Sequence, residues 1–350
     1  MTNKLTEEAI DRHLTAASVI PTGNQWIDDA LAGGLDRRNM MLAAGRTGTG
    51  KTFFAVQLAQ AVAKSQKNVL YFALEAEKYE IERRALYYAT IRLQKQHYAR
   101  LPEMRYREWL HQGYSSEWEA LERQAKEQLD LETSTLRTIY RTELYTPQNF
   151  HEDVELLVNN ADQNESPDLI IIDHLHHFFL QGDEMTQLKM VIHGLKRLHL
   201  RLEIPLVILT QLRKNDMSGG KNKTLPALED IRGTAALTDV ATDVLIISPF
   251  PSDRLDELPG GFRNPMFFHL AKSRTASEAR AFAGVVRYDA TVGGYGRDYV
   301  LCKTKAFEDP ELLDEPPPIW AKHAIGANKT NIPLIERQRL DKKRGTRGDD

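Results

Sequence analysis

Eight consecutive residues carry the clearest chemistry in this 350-residue chain: Gly45-Arg46-Thr47-Gly48-Thr49-Gly50-Lys51-Thr52. They satisfy G-x-x-x-x-G-K-[ST] at every fixed position, the pattern of a loop that cradles phosphates. Glycines there let backbone N–H groups close around a phosphate where a Cβ would intrude. The start of the following helix adds partial positive charge. Lys51 is then expected to reach the β- and γ-phosphates, and the Thr52 hydroxyl to ligate a magnesium ion. ATP and Mg2+ are the cofactors this implies. The other half of such a metal site is an acid at the end of a buried strand, and Leu169-Ile170-Ile171-Ile172-Asp173 supplies one. A carboxylate facing the γ-phosphate would serve as base for an attacking water, and Glu75 closes the next apolar run after the loop.

These groups need a scaffold that brings strand ends together. Met40 to Ala44, Val69 to Leu74, Leu169 to Ile172, Leu206 to Leu209 and Val244 to Ile247 are short apolar runs of the kind seen in strands buried on both faces. Helical spacing follows at Phe53 to Lys64 and at Met185 to Leu202. Met266 to Leu270 and Gly284 to Tyr288 read as further strands. Strands alternating with helices predict an α/β fold with a mostly parallel sheet covered on both sides. Residues 20–305 form this core. Residues 78–135, rich in Glu, Arg, Lys and Gln, read as a helical insertion with wet faces, in which Trp109 and Trp118 are the first candidates for a partner-binding surface. Residues 1–19 read as a linker helix or arm, and 306–350, with Glu315-Pro316-Pro317-Pro318 and a charged end, as a mostly disordered tail.

Composition narrows the partners. Hydrophobic residues make up 41% and charged residues 27%, ordinary for a globular protein, and the formal net charge is −3. Nucleic acid can therefore be held only by a local patch. The single cysteine, Cys302, excludes an internal disulfide and suits a reducing compartment. With neither a secretory start nor a long apolar run, a cytoplasmic protein without a membrane partner is expected.

Several further motifs follow in order: Phe72-Ala73-Leu74-Glu75, Ile171-Ile172-Asp173-His174-Leu175-His176, Leu209-Thr210-Gln211-Leu212-Arg213, Asp230-Ile231-Arg232-Gly233 and Ala271-Lys272-Ser273-Arg274. With the phosphate loop, they resemble the RecA-like P-loop ATPase domain of DnaB-type replicative helicases over roughly residues 20–300. The resemblance implies catalytic roles for Lys51, Glu75, Asp173, Gln211, Lys272 and Arg274. Glu75 matches the base and Gln211 the γ-phosphate sensor, while Lys272 and Arg274 match a basic pair, with its arginine finger, that reaches the neighbouring subunit's nucleotide. It implies a ring, usually a hexamer, with ATP between subunits. Two departures stand out. The family's helical N-terminal domain, which engages primase, has no counterpart here, so recruitment and loading are expected to differ. Where the family has Tyr, then Leu and Gln, after the acid, this chain has His174-Leu175-His176-His177. These histidines invite a metal reading, but no acid partner shows suitable spacing, so packing or solvent exposure is expected.

The stretch from Arg213 to Thr224 is the better of two candidate DNA-tracking loops, the other lying between Leu180 and Thr186. It holds Arg213, Lys214, Lys221 and Lys223 around Gly219-Gly220, cations suited to phosphate contacts that carry no sequence code. The resemblance adds Arg232 and Gly233 at the channel wall. The expectation is an ATP-driven translocase or helicase on single-stranded DNA, with a loader or other protein partner engaging the insertion or the tail. The alternative is an ATP-dependent switch or scaffold, like KaiC or RadA relatives, that does not unwind.

Overall fold

The computed structural model of the chain describes residues 19–77, 79–98, 101, 104–111, 115–140, 146–159, 166–178, 183–213, 226–232, 235–259, 262, 264–289, 294–304, 311–313 and 316–325. The elements in chain order are α1 (Gln25–Ala30), β1 (Met40–Gly45), α2 (Lys51–Lys64), β2 (Val69–Ala73), α3 (Glu80–His97), α4 (Tyr106–His111), α5 (Ser116–Glu132), β3 (Leu136–Tyr140), α6 (Pro147–Asn159), β4 (Leu169–Asp173), α7 (Glu184–Leu202), β5 (Leu206–Gln211), α8 (Ala235–Val240), β6 (Asp243–Pro249), β7 (Met266–Ser273), β8 (Phe282–Asp289), β9 (Gly294–Lys303), β10 (Glu311–Leu312) and β11 (Ala324–Ile325).

One sheet runs through the chain in the order β10-β9-β8-β7-β6-β1-β5-β4-β2-β3, with β11 also on β9. From β6 to β3 every neighbouring pair is parallel. From β6 to β10 the pairs are antiparallel. Alternation within each apolar run serves two helical layers. Met41 and Ala43 of β1, with Val207 and Leu209 of β5, pack under α1 and α2 through Trp26, Phe54, Leu58 and Val62. Met40, Leu42, Leu206 and Ile208 face the other way, against Phe150 and Val154 of α6 and Leu188 to Leu198 of α7. This explains why the strands lack the polar alternation of a one-sided sheet. The α/β class, with a mostly parallel sheet flanked by helices, is as the sequence implies.

Three features differ from the sequence reading. Trp109 and Trp118 are buried in a small core between α3, α4 and α5, with Tyr87, Ile91, Leu121 and Ala125, so they do not form an exposed partner surface. The Trp109 Nε1–H donates to Glu122 Oε2 at 2.9 Å. Charged residues dominate α5 because only one narrow stripe of it is covered. The described part of the tail is ordered: β10 and β11 pair with β9, and Leu313 and Ala321 are buried in the main core. His323 anchors there through its backbone N–H to Asp29 Oδ2 at 2.9 Å. Several elements have no counterpart among the expected ones, among them α1, β3, α6, α8 and the long β9. The α6 signal was present, as Pro147 at a helix start followed by Phe150, Val154 and Leu157 on one face.

Among the described residues no helix is long and apolar enough to cross a membrane. Residues 1–18, all but the last residue of the arm expected over 1–19, lie outside the described residues, as do residues 326–350.

Candidate active site

Parallel register decides which residues meet. Gly45 at the end of β1 pairs with Gln211 at the end of β5, and Ala73 of β2 with Asp173 of β4. All four strands point their carboxyl ends the same way, so the groups carried just beyond them converge, the usual place for a ligand in such a sheet. The Asp173 carbonyl accepts the N–H of Leu74 at 2.7 Å and of Glu75 at 3.3 Å, which sets Glu75 beside the acid. A cavity of about 690 Å3 results, lined by Thr47 to Phe53, Glu75, Asp173 and Gln211 and, from the insertion, by Glu80, Arg84 and Tyr88 of α3.

The loop is built for a close backbone approach. A Cβ on Gly45 would lie 2.6 Å from Thr49 Oγ1 and 2.9 Å from the Ile247 carbonyl. Gly50, in the left-handed region at φ +83°, starts α2. Within the loop the Arg46 carbonyl accepts Lys51 Nζ at 2.9 Å and Thr49 Oγ1 at 2.8 Å. Burial lowers the pKa of Lys51, and the nearby Asp173 and Glu75 carboxylates oppose that shift.

Asp173 is buried, and burial raises its pKa, against the hydroxyls of Tyr71 and Thr52 and the charge of Lys51. Tyr71, wholly buried in β2, donates its hydroxyl to Asp173 Oδ2 at 2.7 Å. The other oxygen, Oδ1, is buried and has no hydrogen-bond partner. A buried carboxylate with one oxygen tied back and one free, next to a threonine hydroxyl, is the donor set a magnesium ion would use. Tyr71 was not visible as a site residue in the sequence, since it sits inside an apolar run.

The three histidines stay close together, the His174 ring centroid lying 5.8 Å from that of His176 and 4.5 Å from that of His177, but they differ in exposure. His174 is buried, His176 half-buried and His177 exposed, around a 3-10 turn over Leu175–His177 that follows a cis Asp173–His174 peptide. Burial, with His177 and His176 nearby, pushes the His174 pKa down to about 3, so its ring is neutral. Its Nε2 lies 2.9 Å from Glu75 Oε2 and 3.0 Å from the Gln211 side-chain amide, and His177 Nε2 lies 3.9 Å from the same carboxylate oxygen. The acid partner that spacing did not reveal thus comes from the turn after β2, and donor atoms of Glu75, His174 and His177 fall within 4.8 Å of one another.

Lys272 and Arg274 stand apart from this cavity. On antiparallel β7, Lys272 pairs with Val244 at the start of β6, the end of the strands away from Gly45 and the loop that follows it. Lys272 Nζ donates to the carbonyls of Thr238 at 2.5 Å and Asp239 at 3.2 Å, and Arg274 Nη2 to that of Asp239 at 3.4 Å. Arg213 and Arg232 are exposed just past β5, where Arg213 N–H donates to the Asp230 carbonyl at 2.6 Å and Arg232 N–H to the Gln211 carbonyl at 2.8 Å. Lys214, Lys221, Lys223 and Gly233 lie outside the described residues.

The family of DnaB-like helicase C-terminal domains matches residues 19–274. Replicative DNA helicase DnaB of Nostoc sp. (strain PCC 7120 / SAG 25.82 / UTEX 2576) is 28% identical over 212 residues, which is 60% of this chain and 22% of that protein. The DnaB of Geobacillus stearothermophilus is 25% identical over 240 residues, 65% of this chain and 46% of its own length. The match thus spans less than half of either relative. Among solved structures, a DnaB-like replicative helicase studied for its interactions with primase superposes with a TM-score of 0.65 at 19% identity, covering 83% of this chain and 68% of that one. A second solved chain, an isolated ATPase domain, gives a TM-score of 0.65 at 17% identity, covering 84% of this chain and 99% of its own. At these identities the likeness is one of fold.

Proposed function

The chain belongs to the family of DnaB-like helicase C-terminal domains, and on that premise we propose that it is a ring-forming ATPase that couples hydrolysis to movement along, or unwinding of, DNA. One observation carries the reading: Lys51, Thr52, Glu75, Asp173 and Gln211 share one cavity, while Lys272 and Arg274 lie at the opposite end of the strands, beside the start of β6. A subunit so arranged holds a nucleotide but supplies none of the distal cations to it. Those cations serve a neighbour, so the reaction is completed between subunits of a ring, hexameric in this reading.

The phosphates of ATP lie on the backbone of Gly45 to Thr52, with Lys51 leaving the Arg46 carbonyl for the β- and γ-phosphates. Thr52 and Asp173 would hold Mg2+, which supplies charge neutralisation at the phosphoryl oxygens. Glu75 takes the proton of the attacking water, and Gln211 contacts the γ-phosphate. Arg274, with Lys272, stabilises the developing charge in trans. Gln211 is one residue from Leu212, and its carbonyl binds Arg232, so a change at the phosphate is passed to Arg213, Arg232 and the loop between them. There Arg213, Lys214, Lys221, Lys223, Arg232 and Gly233 grip single-stranded DNA through its backbone, in a salt-sensitive manner. A loader would find its contact on the charged outer faces of the insertion.

The test is ATP turnover with and without single-stranded DNA, on wild type, Lys51→Ala and Arg274→Ala. Wild type is expected to be stimulated several-fold by DNA, Lys51→Ala to lose nucleotide binding, and Arg274→Ala to bind nucleotide without turning it over. Normal turnover by Lys51→Ala would end the reading. Turnover that ignores DNA yet still needs Arg274 would replace the motor with a nucleotide-driven switch.

A further inference from the structure

His174 stands where the resemblance leads one to expect tyrosine, and its surroundings leave its ring one arrangement. It is buried directly after Asp173, and its Nδ1 accepts the backbone N–H of His176 at 3.2 Å. Accepting there needs the lone pair of Nδ1, so the single proton of the neutral ring sits on Nε2. That nitrogen faces the Glu75 carboxylate at 2.9 Å and the Gln211 amide at 3.0 Å. Two donors cannot share the second contact, so Gln211 turns its carbonyl oxygen to the ring; the two atoms of an amide are interchangeable in such a placement. One N–H thus serves the side chains that close β2 and β5.

Glu75 needs such a tether. Its side chain is 49% exposed and lies in the turn after β2, with rotamers free to leave the phosphate end of the cavity. Gln211, at the end of β5, is held to the same nitrogen. We propose that His174 is a positioning residue that, through its Nε2–H, holds Glu75 and Gln211 together, so that the base and the phosphate-contacting amide are oriented as one unit. This rests on the roles proposed above for Glu75 and Gln211. Tyrosine has no nitrogen in this position, so the device is particular to a chain with histidine here. A transition metal on Glu75, His174 and His177 is the competing use of the same atoms. It would need the lone pair of His174 Nε2, which carries the proton instead.

The experiment measures steady-state ATP turnover and the affinity of a fluorescent non-hydrolysable ATP analogue on the full chain. His174→Ala is expected to lower kcat by about 10- to 100-fold, the range for losing a group that orients an active ligand. Analogue affinity should stay within about threefold, a factor too small to carry such a loss. His174→Gln, which can place an amide N–H near the position of Nε2, should recover most of the rate. In a Gln211→Ala background, His174→Ala should cost clearly less than in wild type, since the two share one hydrogen bond. Equal loss of binding and rate, with His174→Gln no better than His174→Ala, would reduce His174 to filler and overturn the proposal. An undiminished cost in the Gln211→Ala background would overturn it too. Inhibition by Zn2+ that His177→Ala removes would hand the trio to a metal and also overturn it. Glu75→Gln alone separates the two readings: full turnover by that variant rejects Glu75 as the base, whatever the His174 variants do.

Discussion

Tyr71→Phe deletes one oxygen from the centre of the sheet and tests how Asp173 is oriented for the magnesium ion proposed to bind there. The ring and its packing remain, so no cavity opens. What goes is the 2.7 Å hydrogen bond to Asp173 Oδ2. Tyr71 is 0% exposed, so no solvent lies on its side of the carboxylate to replace the lost donor. A hydrogen bond to a charged group contributes about 1.5–3 kcal/mol net. At about 1.4 kcal/mol per decade, that is roughly 10- to 100-fold in any equilibrium that needs Asp173 ionised and oriented. Tyr71→Phe should therefore raise the Mg2+ concentration for half-maximal turnover by that factor, with Vmax at saturating Mg2+ little changed. An independent reading comes from Mn2+ bound to the protein–ADP complex, followed by electron paramagnetic resonance, where affinity should fall by the same factor. Thermal unfolding in EDTA checks that the fold is intact. Unchanged Mg2+ and Mn2+ dependence in a folded variant would refute the argument that Tyr71 orients the acid.

Two further outcomes concern the scaffold. Trp118→Ala should cost the insertion about 3–5 kcal/mol, as expected for a buried tryptophan, and be seen as early loss of protection of α3 and α5 in hydrogen exchange; unchanged exchange would mean the ring is not the core of that unit. Burial pushes the Asp29 carboxyl up, but the hydroxyl of Tyr299, at 2.7 Å, and His323 outweigh it and hold the pKa below the ordinary 3.8. A depressed carboxylate stabilises the fold above its ordinary pKa, and that contribution is lost as pH falls through the depressed value. Tyr299→Phe should accordingly lower stability to urea by about 1–3 kcal/mol at neutral pH. The gap between variant and wild type should narrow once the pH drops below 3.8, and a gap independent of pH would show that Asp29 is not the cause.

The phosphate loop, the parallel strands and the acid at Asp173 were legible in the sequence for one reason. Each is written in contiguous residues whose pattern is the direct mark of its physics. A loop that closes on phosphate needs glycines and a lysine at fixed spacing, and a strand buried on both faces must be apolar throughout. The short motifs around Glu75, Gln211, Lys272 and Arg274 could be picked out in order, but their order says nothing of distance. Only the register β1-β5-β4-β2 brings Glu75, His174 and Gln211 to one nitrogen, and only the pairing of β7 with β6 puts Lys272 and Arg274 at the opposite end of the strands. The same holds for Tyr71, which in a strand of apolar residues looks like core until β4 lies alongside it. Trp109 and Trp118 misled because helical wet faces hide a narrow buried stripe, and what covers the stripe comes from a second helix. Residues 311–313 and 316–325 misled because their composition is that of a tail, while their order comes from strand β9 and from Asp29, the latter distant in the chain. Local chemistry is fixed by neighbours along the chain; which side chains share a proton is fixed by strand pairing, and that is a property of the folded sheet.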